Sequence, residues 1–275
     1  ATGGPEVLER RTIELPEPGP REVRVRVRAV AVNHIDIWGR RGLPHFRYEF
    51  PHRLGADIAG EVEALGPGAV GAKVGDKVLV NPGVSCGACE RCLLGEDPLC
   101  RSYRILGENT QGGYSRHINV PDANLLPFPS NLSFEEAAAI PLCFLTAWSM
   151  VVRKGQVSPG QTVLVQAAGS GVSSAAIQIA KVMGAAKVIG TAGSDKKIER
   201  AKEIGLDVGV NYRQQPDFDA VVLGQTEERG ADVILDAIGA SYWERNMRSL
   251  AVKGRMVMIG FMGGAGVNAS IAPLL

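Results

Sequence analysis

The sequence predicts an irregular, turn-rich β domain of the barrel kind, followed by an α/β domain built on a doubly wound parallel sheet. In the first half, short apolar runs with β-branched residues are separated by Gly and Pro. The second half repeats a strand–helix–strand order, which is typical of parallel sheets. At ~150 residues per domain, a chain of 275 residues is expected to hold two, and we place them at residues 1–127 and 128–275.

The first domain is predicted to begin its sheet with a strand over Glu22–Val32. Val23, Val25 and Val27 alternate with arginines, and a period of two indicates a half-buried strand. The arginines are interpreted as a solvated strand face, because the whole chain has a net charge of only +1. Further strands are predicted at Ala59–Ala64, Lys77–Val80 and Tyr114–Val120.

The second domain begins after a change in character near Pro127–Asn131. Ser133 and Glu136 form a capping box before an Ala-rich helix, and a helix resumes after Pro141 over Leu142–Val152. Strands are predicted at Thr162–Gln166, Lys187–Thr191, Val208–Tyr212, Ala231–Asp236 and Arg255–Gly260, with helices at Val172–Ala185 and Asp195–Ile204.

Composition excludes several classes of function. Lys and Arg number 30 and Asp and Glu 29, so there is no electrostatic reason to expect nucleic acid or an anionic membrane as partner. The two long uncharged stretches are interrupted by Gly, Pro, Ser or Gln, so no membrane span is predicted. No basic-then-apolar leader opens the chain. The predicted partner is a small-molecule substrate, and the predicted location is the cytoplasm.

Four of the five cysteines are bunched as Cys86-x-x-Cys89-x-x-Cys92-x(7)-Cys100. Four thiolates at this spacing can surround Zn²⁺ as a tetrahedron, which leaves no open coordination position. We therefore predict one structural zinc in a lobe of about residues 84–102. An iron–sulfur cluster is a weaker alternative because its usual run has a short last gap and a following Pro. Disulfides are a second alternative.

A strand, a turn of small residues and a helix follow one another around Ala168–Ser173. Such a turn lets the backbone approach a pyrophosphate, and the helix N-terminus supplies N–H groups and a positive dipole end. The alternative is a tight packing turn without a ligand. The predicted cofactor-binding residues of this turn are Ala168, Gly169, Ser170, Gly171 and Val172.

The two features together resemble the medium-chain dehydrogenase/reductase superfamily, and the resemblance covers essentially the whole chain. It is carried by the cysteine lobe, the Ala168–Ser173 turn, and the segments Gly3–Leu8, Gly55–Gly60, Gly75–Val78, Gly112–Tyr114 and Ala138–Pro141. The resemblance implies a GroES-like domain followed by a Rossmann domain, with the active site in the cleft between them. It also implies a homodimer or homotetramer for the full-length protein.

The same resemblance suggests that this sequence is truncated at both ends. Members of the superfamily begin with a strand before the Gly3–Gly4 turn and continue beyond the last residue here. A complete Rossmann domain has six strands, whereas five are predicted, and the chain stops on the apolar tail Ile271–Leu275. We therefore expect the second domain to be incomplete at its C-terminus.

Zinc alcohol dehydrogenases of this superfamily hold a second, catalytic zinc, and this chain departs from them at its three ligand positions. Those positions are Asn33, Ala56 and Leu142. Asn and Ala cannot supply the thiolate and imidazole that such a zinc needs. A substitute ligand set of His34, Asp57 and Cys143 is the alternative.

Asn33-His34-Ile35-Asp36 instead resembles the Asn-x-x-Asp of the quinone-reductase branch, which reduces quinones or enones with NADPH and without a catalytic metal. The resemblance implies that Asn33 offers an amide hydrogen bond near the nicotinamide, that Asp36 holds the loop, and that Thr146 packs against the nicotinamide. These are the predicted catalytic residues. The predicted function is NADPH-dependent hydride transfer to a quinone, enone or related carbonyl.

NADPH is preferred because the second strand of the α/β domain ends at Ala192 rather than at an acid that would bind the ribose hydroxyls. Ser194 and Lys197 can bind a 2′-phosphate, Tyr212 can close the adenine pocket, and Gly260 ends the fifth strand beside the cofactor. The alternative is that Ser194 only caps the helix while Lys196 and Lys197 are solvated surface charges. Two further functions stay open: a zinc-type alcohol dehydrogenase and a non-catalytic NADPH-binding protein.

Overall fold

A computed structural model describes residues 1–42 and 48–269. Its contacts divide the chain into two compact units, Ala1–Leu142 and Cys143–Leu275. This division falls later than residue 127, because Ala137 and Ala138 pack against Ala59 and Leu79 of the first unit. The tail Ile271–Leu275 lies outside the described residues.

The first unit is built on a five-stranded antiparallel sheet with the order β6-β1-β2-β3-β7. A separate two-stranded sheet pairs β4 with β5. The strands are β1 (Glu22–Ala31), β2 (Asp57–Leu65), β3 (Lys77–Val80), β4 (Gly83–Val84), β5 (Arg104–Ile105), β6 (His117–Pro121) and β7 (Leu125–Pro127). The helices are α1 (His34–Arg41), α2 (Glu90–Leu93) and α3 (Phe134–Ala138), with short 3₁₀ turns at Pro5–Val7, Asp97–Leu99 and Asp122–Asn124.

The alternation predicted for the first strand is confirmed. Val23 and Val25 of β1 are fully buried in the core of this unit, while Arg26 is exposed and pairs with Glu61 on β2. The predicted capping box is present too, since Ser133 and Glu136 exchange hydrogen bonds at the start of α3. Local sequence pattern thus determines both elements.

The second unit is built on a five-stranded parallel sheet with the order β10-β9-β8-β11-β12. Its strands are β8 (Thr162–Val165), β9 (Lys187–Ala192), β10 (Val208–Asn211), β11 (Ala231–Asp236) and β12 (Leu250–Met258). The helices from residue 141 onward are α4 (Pro141–Trp148), a π-helix (Ser149–Lys154), α5 (Gly171–Val182), α6 (Asp195–Glu203), α7 (Phe218–Gln225) and α8 (Trp243–Ser249), with a 3₁₀ turn at Ala240–Tyr242. No helix within the described ranges is both long enough and apolar enough to span a bilayer.

The predicted alternation of strands and helices is confirmed, with two differences. The fifth strand begins at Leu250 rather than Arg255, and its pairing with β11 shifts where Lys253 adopts a positive φ of 61°. Two short helices, α7 and α8, were not predicted. Sheet order 3-2-1-4-5, counted from β8, is the Rossmann order without a sixth strand among the described residues.

Candidate active site and metal centre

The four cysteines of the lobe converge on one point. Their Sγ atoms all lie within 4.8 Å of one another, and three Sγ–Sγ separations are 3.5, 3.6 and 3.8 Å. A tetrahedron with Zn–S bonds of about 2.3 Å has edges of about 3.8 Å. Among the described residues, this is the one group of three or more Cys, His, Asp or Glu side chains with ligand atoms this close. The donor set therefore fits zinc.

Backbone N–H groups favour the metal-binding form of one cysteine of this cluster. The N–H groups of Ala88 and Cys89 donate to the sulfur of Cys86 and lower the pKa of that thiol to about 6. The thiolate is the metal-binding form of cysteine. Cys100 is buried, and the short α2 and the 3₁₀ turn at Asp97–Leu99 lie between Cys89 and Cys100. The lobe thus presents its four sulfurs together.

The carboxylate of Asp36 holds the start of α1 by accepting three hydrogen bonds. It accepts hydrogen bonds from Asn33 N at 2.8 Å, Gly55 N at 2.8 Å and the Tyr114 hydroxyl at 3.1 Å. Asp36 is only 4% exposed. Its three hydrogen bonds fix the loop between β1 and α1. Asp36 therefore positions neighbouring residues of the site.

Asn33 is fixed by a second buried carboxylate. Its Nδ2 donates to Asp57 Oδ2 at 2.8 Å, and the other Asp57 oxygen accepts the N–H of Leu142 at 2.7 Å. Burial, with a smaller contribution from the charge of Asp36, raises the pKa of Asp57 to about 6, even though these two hydrogen bonds oppose the shift. The Asp57 carboxylate therefore joins two of the three positions that match catalytic zinc ligands in zinc alcohol dehydrogenases.

His34 and Thr146 occupy different environments. His34 is an exposed first residue of α1, with its ring 6.0 Å from the ring of Trp38. Thr146 lies on α4 and is half-buried. Helix α4 begins at Pro141, a residue that suits the first helical position because it lacks an N–H.

The glycine turn of the second unit has the features of a phosphate cradle. Ser170 caps α5 by accepting the N–H of Ser173 at 3.2 Å, and Ala167 adopts a left-handed φ of 55°. A Cβ at Gly169 would lie 2.8 Å from Lys197 Cδ, and one at Gly171 would lie 2.8 Å from the sulfur of Cys143. A side chain at either position beside the helix N-terminus would require Lys197 or Cys143 to shift.

A row of buried polar side chains, linked by hydrogen bonds, supports the glycine turn. Asn246 Oδ1 accepts from Gln166 Nε2 at 2.7 Å, and Gln166 Oε1 accepts from Thr191 Oγ1 at 2.6 Å. Thr191 Oγ1 in turn accepts the N–H of Ala167 at 3.3 Å. All three side chains are fully buried. Sequence analysis missed them, although polar residues at the carboxyl ends of β8 and β9 are a usable signal in a parallel sheet.

The residues predicted to bind the 2′-phosphate and the adenine lie around the end of β9. Lys197 extends along Gly169. The Tyr212 hydroxyl would lie 2.6 Å from a Cβ placed on Gly193. Ser194 is the residue before α6, and its side chain makes no capping hydrogen bond. The structure therefore does not use Ser194 as a side-chain cap.

Gly260 follows β12 and faces the neighbouring turn. A Cβ on it would lie 3.1 Å from the carbonyl oxygen of Ala237. That turn is held by the buried Asp236, whose carboxylate accepts the N–H groups of Ile238 and Gly239. Burial raises the pKa of Asp236. Gly260 thus lies where two backbone segments pass close together at the carboxyl end of the sheet.

Comparison with known proteins identifies the family. Residues 19–130 match the alcohol dehydrogenase GroES-like domain and residues 171–275 match the zinc-binding dehydrogenase family. An NAD-dependent alcohol dehydrogenase of Saccharolobus solfataricus is 33% identical over 93% of this chain and 76% of its own length. The chain belongs to the medium-chain dehydrogenase/reductase superfamily. A quinone oxidoreductase of Pseudomonas aeruginosa is 35% identical, over 98% of this chain and 75% of its own.

A solved structure agrees with this membership. The crystal structure of an NAD-dependent alcohol dehydrogenase superposes with a TM-score of 0.94 at 53% identity, covering all of this chain and 79% of the other. The protein is thus an oxidoreductase of the medium-chain superfamily. The zinc-binding family and the cysteine cluster point to zinc, and the nicotinamide-dependent relatives point to a nicotinamide cofactor.

Proposed function

We propose that the protein reduces a quinone, enone or related conjugated carbonyl with NADPH, without a catalytic metal. The observation that carries this proposal is the contact of Asn33 with the buried Asp57. A neutral amide occupies a position where zinc alcohol dehydrogenases have a metal ligand, and the carboxylate that orients this amide already accepts two N–H donors. The likeness to quinone oxidoreductases supports the same assignment.

Bound NADPH supplies the hydride. The role of Asn33 is to present its amide near the nicotinamide and the substrate oxygen, in an orientation fixed by Asp57. Preorganised donors of this kind stabilise negative charge that develops on oxygen, and they lose little by reorganisation. Asp36 keeps the loop in place through its bonds to Asn33 N, Gly55 N and Tyr114. Thr146 packs against the nicotinamide. Positioning supplies most of the rate enhancement.

The second unit would bind the nucleotide along the carboxyl edge of its sheet. The turn at Ala168–Val172 and the N-terminus of α5 face the pyrophosphate, and Gly260 lets the cofactor approach the turn after β12. Lys197 and Ser194 recognise the 2′-phosphate, with Tyr212 beside the adenine. Ala192 at the end of β9 brings no carboxylate to the ribose, which favours NADPH.

One zinc per chain would be held by Cys86, Cys89, Cys92 and Cys100. A closed set of four sulfurs has no position for substrate, so this zinc stabilises the lobe. The sulfur separations support a single tetrahedral site.

A second candidate is an NAD-dependent alcohol dehydrogenase, which the names of several relatives favour. The two are separated by a cofactor-consumption screen. NADPH and NADH oxidation are followed at 340 nm with quinones and enones, and NADP⁺ and NAD⁺ reduction with primary and secondary alcohols. The proposal expects NADPH oxidation with a quinone or enone. Turnover restricted to alcohols and NAD⁺ would establish the second candidate instead.

A further inference from the structure

The turn after β10 directs its side chains to two different places. The Tyr212 hydroxyl and the Nε of Arg213 would lie 2.6 and 3.4 Å from a Cβ placed on Gly193. Asn211 Nδ2 and Gln214 Nε2 instead donate to the carboxylate of Asp195, at 2.8 and 3.1 Å. Tyr212 and Arg213 of this turn thus lie against Gly193, which follows β9. Asn211 and Gln214 bind Asp195, the first residue of α6.

Backbone hydrogen bonds make this turn rigid. Tyr212 N donates to Ala192 O at 3.1 Å, which ties the turn to the end of β9. Gln215 N donates to Asn211 O at 2.8 Å, and Arg213 N donates to Asn211 Oδ1 at 3.2 Å. The backbone of the turn is therefore held in place by the fold.

The carboxylate of Asp195 already accepts the amides of Asn211 and Gln214, whereas the guanidinium of Arg213 lies against Gly193. Asp195, Asn211 and Gln214 line one surface groove, together with Ile198 and Glu199 of α6. The residues proposed to bind the 2′-phosphate do not line this groove. Within residues 1–42 and 48–269, Arg213 forms no ion pair with a carboxylate. The guanidinium of Arg213, which has no carboxylate partner, thus lies beside the space that a side chain on Gly193 would occupy.

We propose that Arg213 is a second cationic contact for the 2′-phosphate of the adenosine ribose, and that Gln214 and Asn211 position Asp195 so that its charge does not face that phosphate. This inference rests on the proposed NADPH preference and adds a specificity residue to Ser194 and Lys197. A guanidinium presents several N–H donors in a planar fork that matches phosphate oxygens. Arg213 and Lys197 together would balance a phosphate dianion, whereas an unrestrained Asp195 would repel it.

The direct test uses adenosine fragments, because 2′,5′-ADP and 5′-AMP differ by the 2′-phosphate alone. Calorimetric dissociation constants are measured at fixed ionic strength for wild type, Arg213→Gln and the control Arg200→Gln, which removes the same charge from an exposed position on α6. Arg213→Gln is expected to weaken 2′,5′-ADP binding by about tenfold, with 5′-AMP binding and the control unchanged. Unaltered 2′,5′-ADP binding in Arg213→Gln, in a wild type that prefers 2′,5′-ADP, would overturn the inference alone. A wild type that binds both fragments equally would overturn the NADPH preference itself.

The role of Asp195 is tested by a double-mutant cycle. Gln214→Ala removes one of the two amides that hold the carboxylate, and is expected to weaken 2′,5′-ADP binding several-fold. Asp195→Asn alone should change binding little, and Gln214→Ala should have no further effect in the Asp195→Asn background. An equal effect of Gln214→Ala in both backgrounds would show that the amide acts without Asp195. A large gain in 2′,5′-ADP affinity from Asp195→Asn alone would show that the charge already faces the phosphate.

Discussion

Asn33 Nδ2 donates a 2.8 Å hydrogen bond to Oδ2 of Asp57, a carboxylate that is 1% exposed. The two residues are 24 positions apart in the sequence and meet because β1 and β2 pair, with Ala31 opposite Asp57. A buried carboxylate needs donors to be tolerated, so Asn33 and the N–H of Leu142 stabilise Asp57 while Asp57 orients Asn33. The two functions of the contact, stability and positioning, can be measured separately.

Asp57 should make stability depend on pH in a direction opposite to that of most carboxyls. Its pKa is about 6 in the folded protein, against an ordinary value of 3.8. Between these values the folded state keeps a proton that the unfolded chain has released, so the contribution of Asp57 to stability falls as pH rises through about 6. The free energy of unfolding of wild type minus that of Asp57→Asn should fall by about 2 kcal/mol between about pH 4.5 and 7.5. Urea unfolding of both proteins tests this, and a difference that stays constant with pH would contradict the assigned pKa.

Replacing Asn33 should affect both properties. Asn33→Ala leaves the Asp57 carboxylate with one donor fewer in a buried site, at an expected cost of about 1–3 kcal/mol. It also removes the proposed amide from the active site, so kcat should fall by about tenfold or more while KM for NADPH changes little. Asn119→Ala, which removes a β6 amide bonded to the exposed Pro16 and the half-buried Arg24, is the control. A folded Asn33→Ala protein with wild-type kcat would exclude a catalytic role for Asn33.

Sequence pattern predicted the elements whose cause is local. The alternation in β1, the capping box of α3 and the helix predicted from Val172, which the structure begins at Gly171 as α5, each follow from neighbouring residues. The cysteine spacing predicted a cluster that the fold brings together. The predicted start of β12 was wrong because Lys253 and Gly254 break the apolar run, although the strand pairs with β11 on both sides of them, at Leu250 and from Arg255 onward. Asp57, Thr191 and Arg213 acquire their contacts through sheet pairing across long sequence separations, so their partners could not be assigned from a local pattern.

Thr191 should matter for cofactor binding although it lies under the glycine turn. Thr191→Val keeps the shape but removes both the donor to Gln166 and the acceptor for the N–H of Ala167. Unsatisfied buried groups cost about 1–3 kcal/mol, and the left-handed Ala167 loses one restraint. We expect lower stability and several-fold weaker NADPH binding by fluorescence titration. Thr191→Ser keeps the hydroxyl and is expected to preserve binding. Equal binding by the Val and Ser variants would argue against this role.

Cys92→Ser should lose zinc and stability together. Structural zinc contributes directly to folding free energy, so the variant is expected to have a lower melting temperature and less than one zinc per chain. Cys143→Ser is the matched control, since Cys143 lies outside the four-sulfur cluster. Full zinc content and an unchanged melting temperature in Cys92→Ser would rule out Cys92 as a ligand.

The zinc content of a sample that is turning over tests the central claim most directly. Zinc per chain is measured by mass spectrometry on the same preparation used to follow NADPH oxidation with a quinone or enone. The account predicts turnover at one zinc per chain, bound by the four cysteines. Two zincs per chain, or activity that rises in proportion to a second bound metal, would contradict hydride transfer without a catalytic metal.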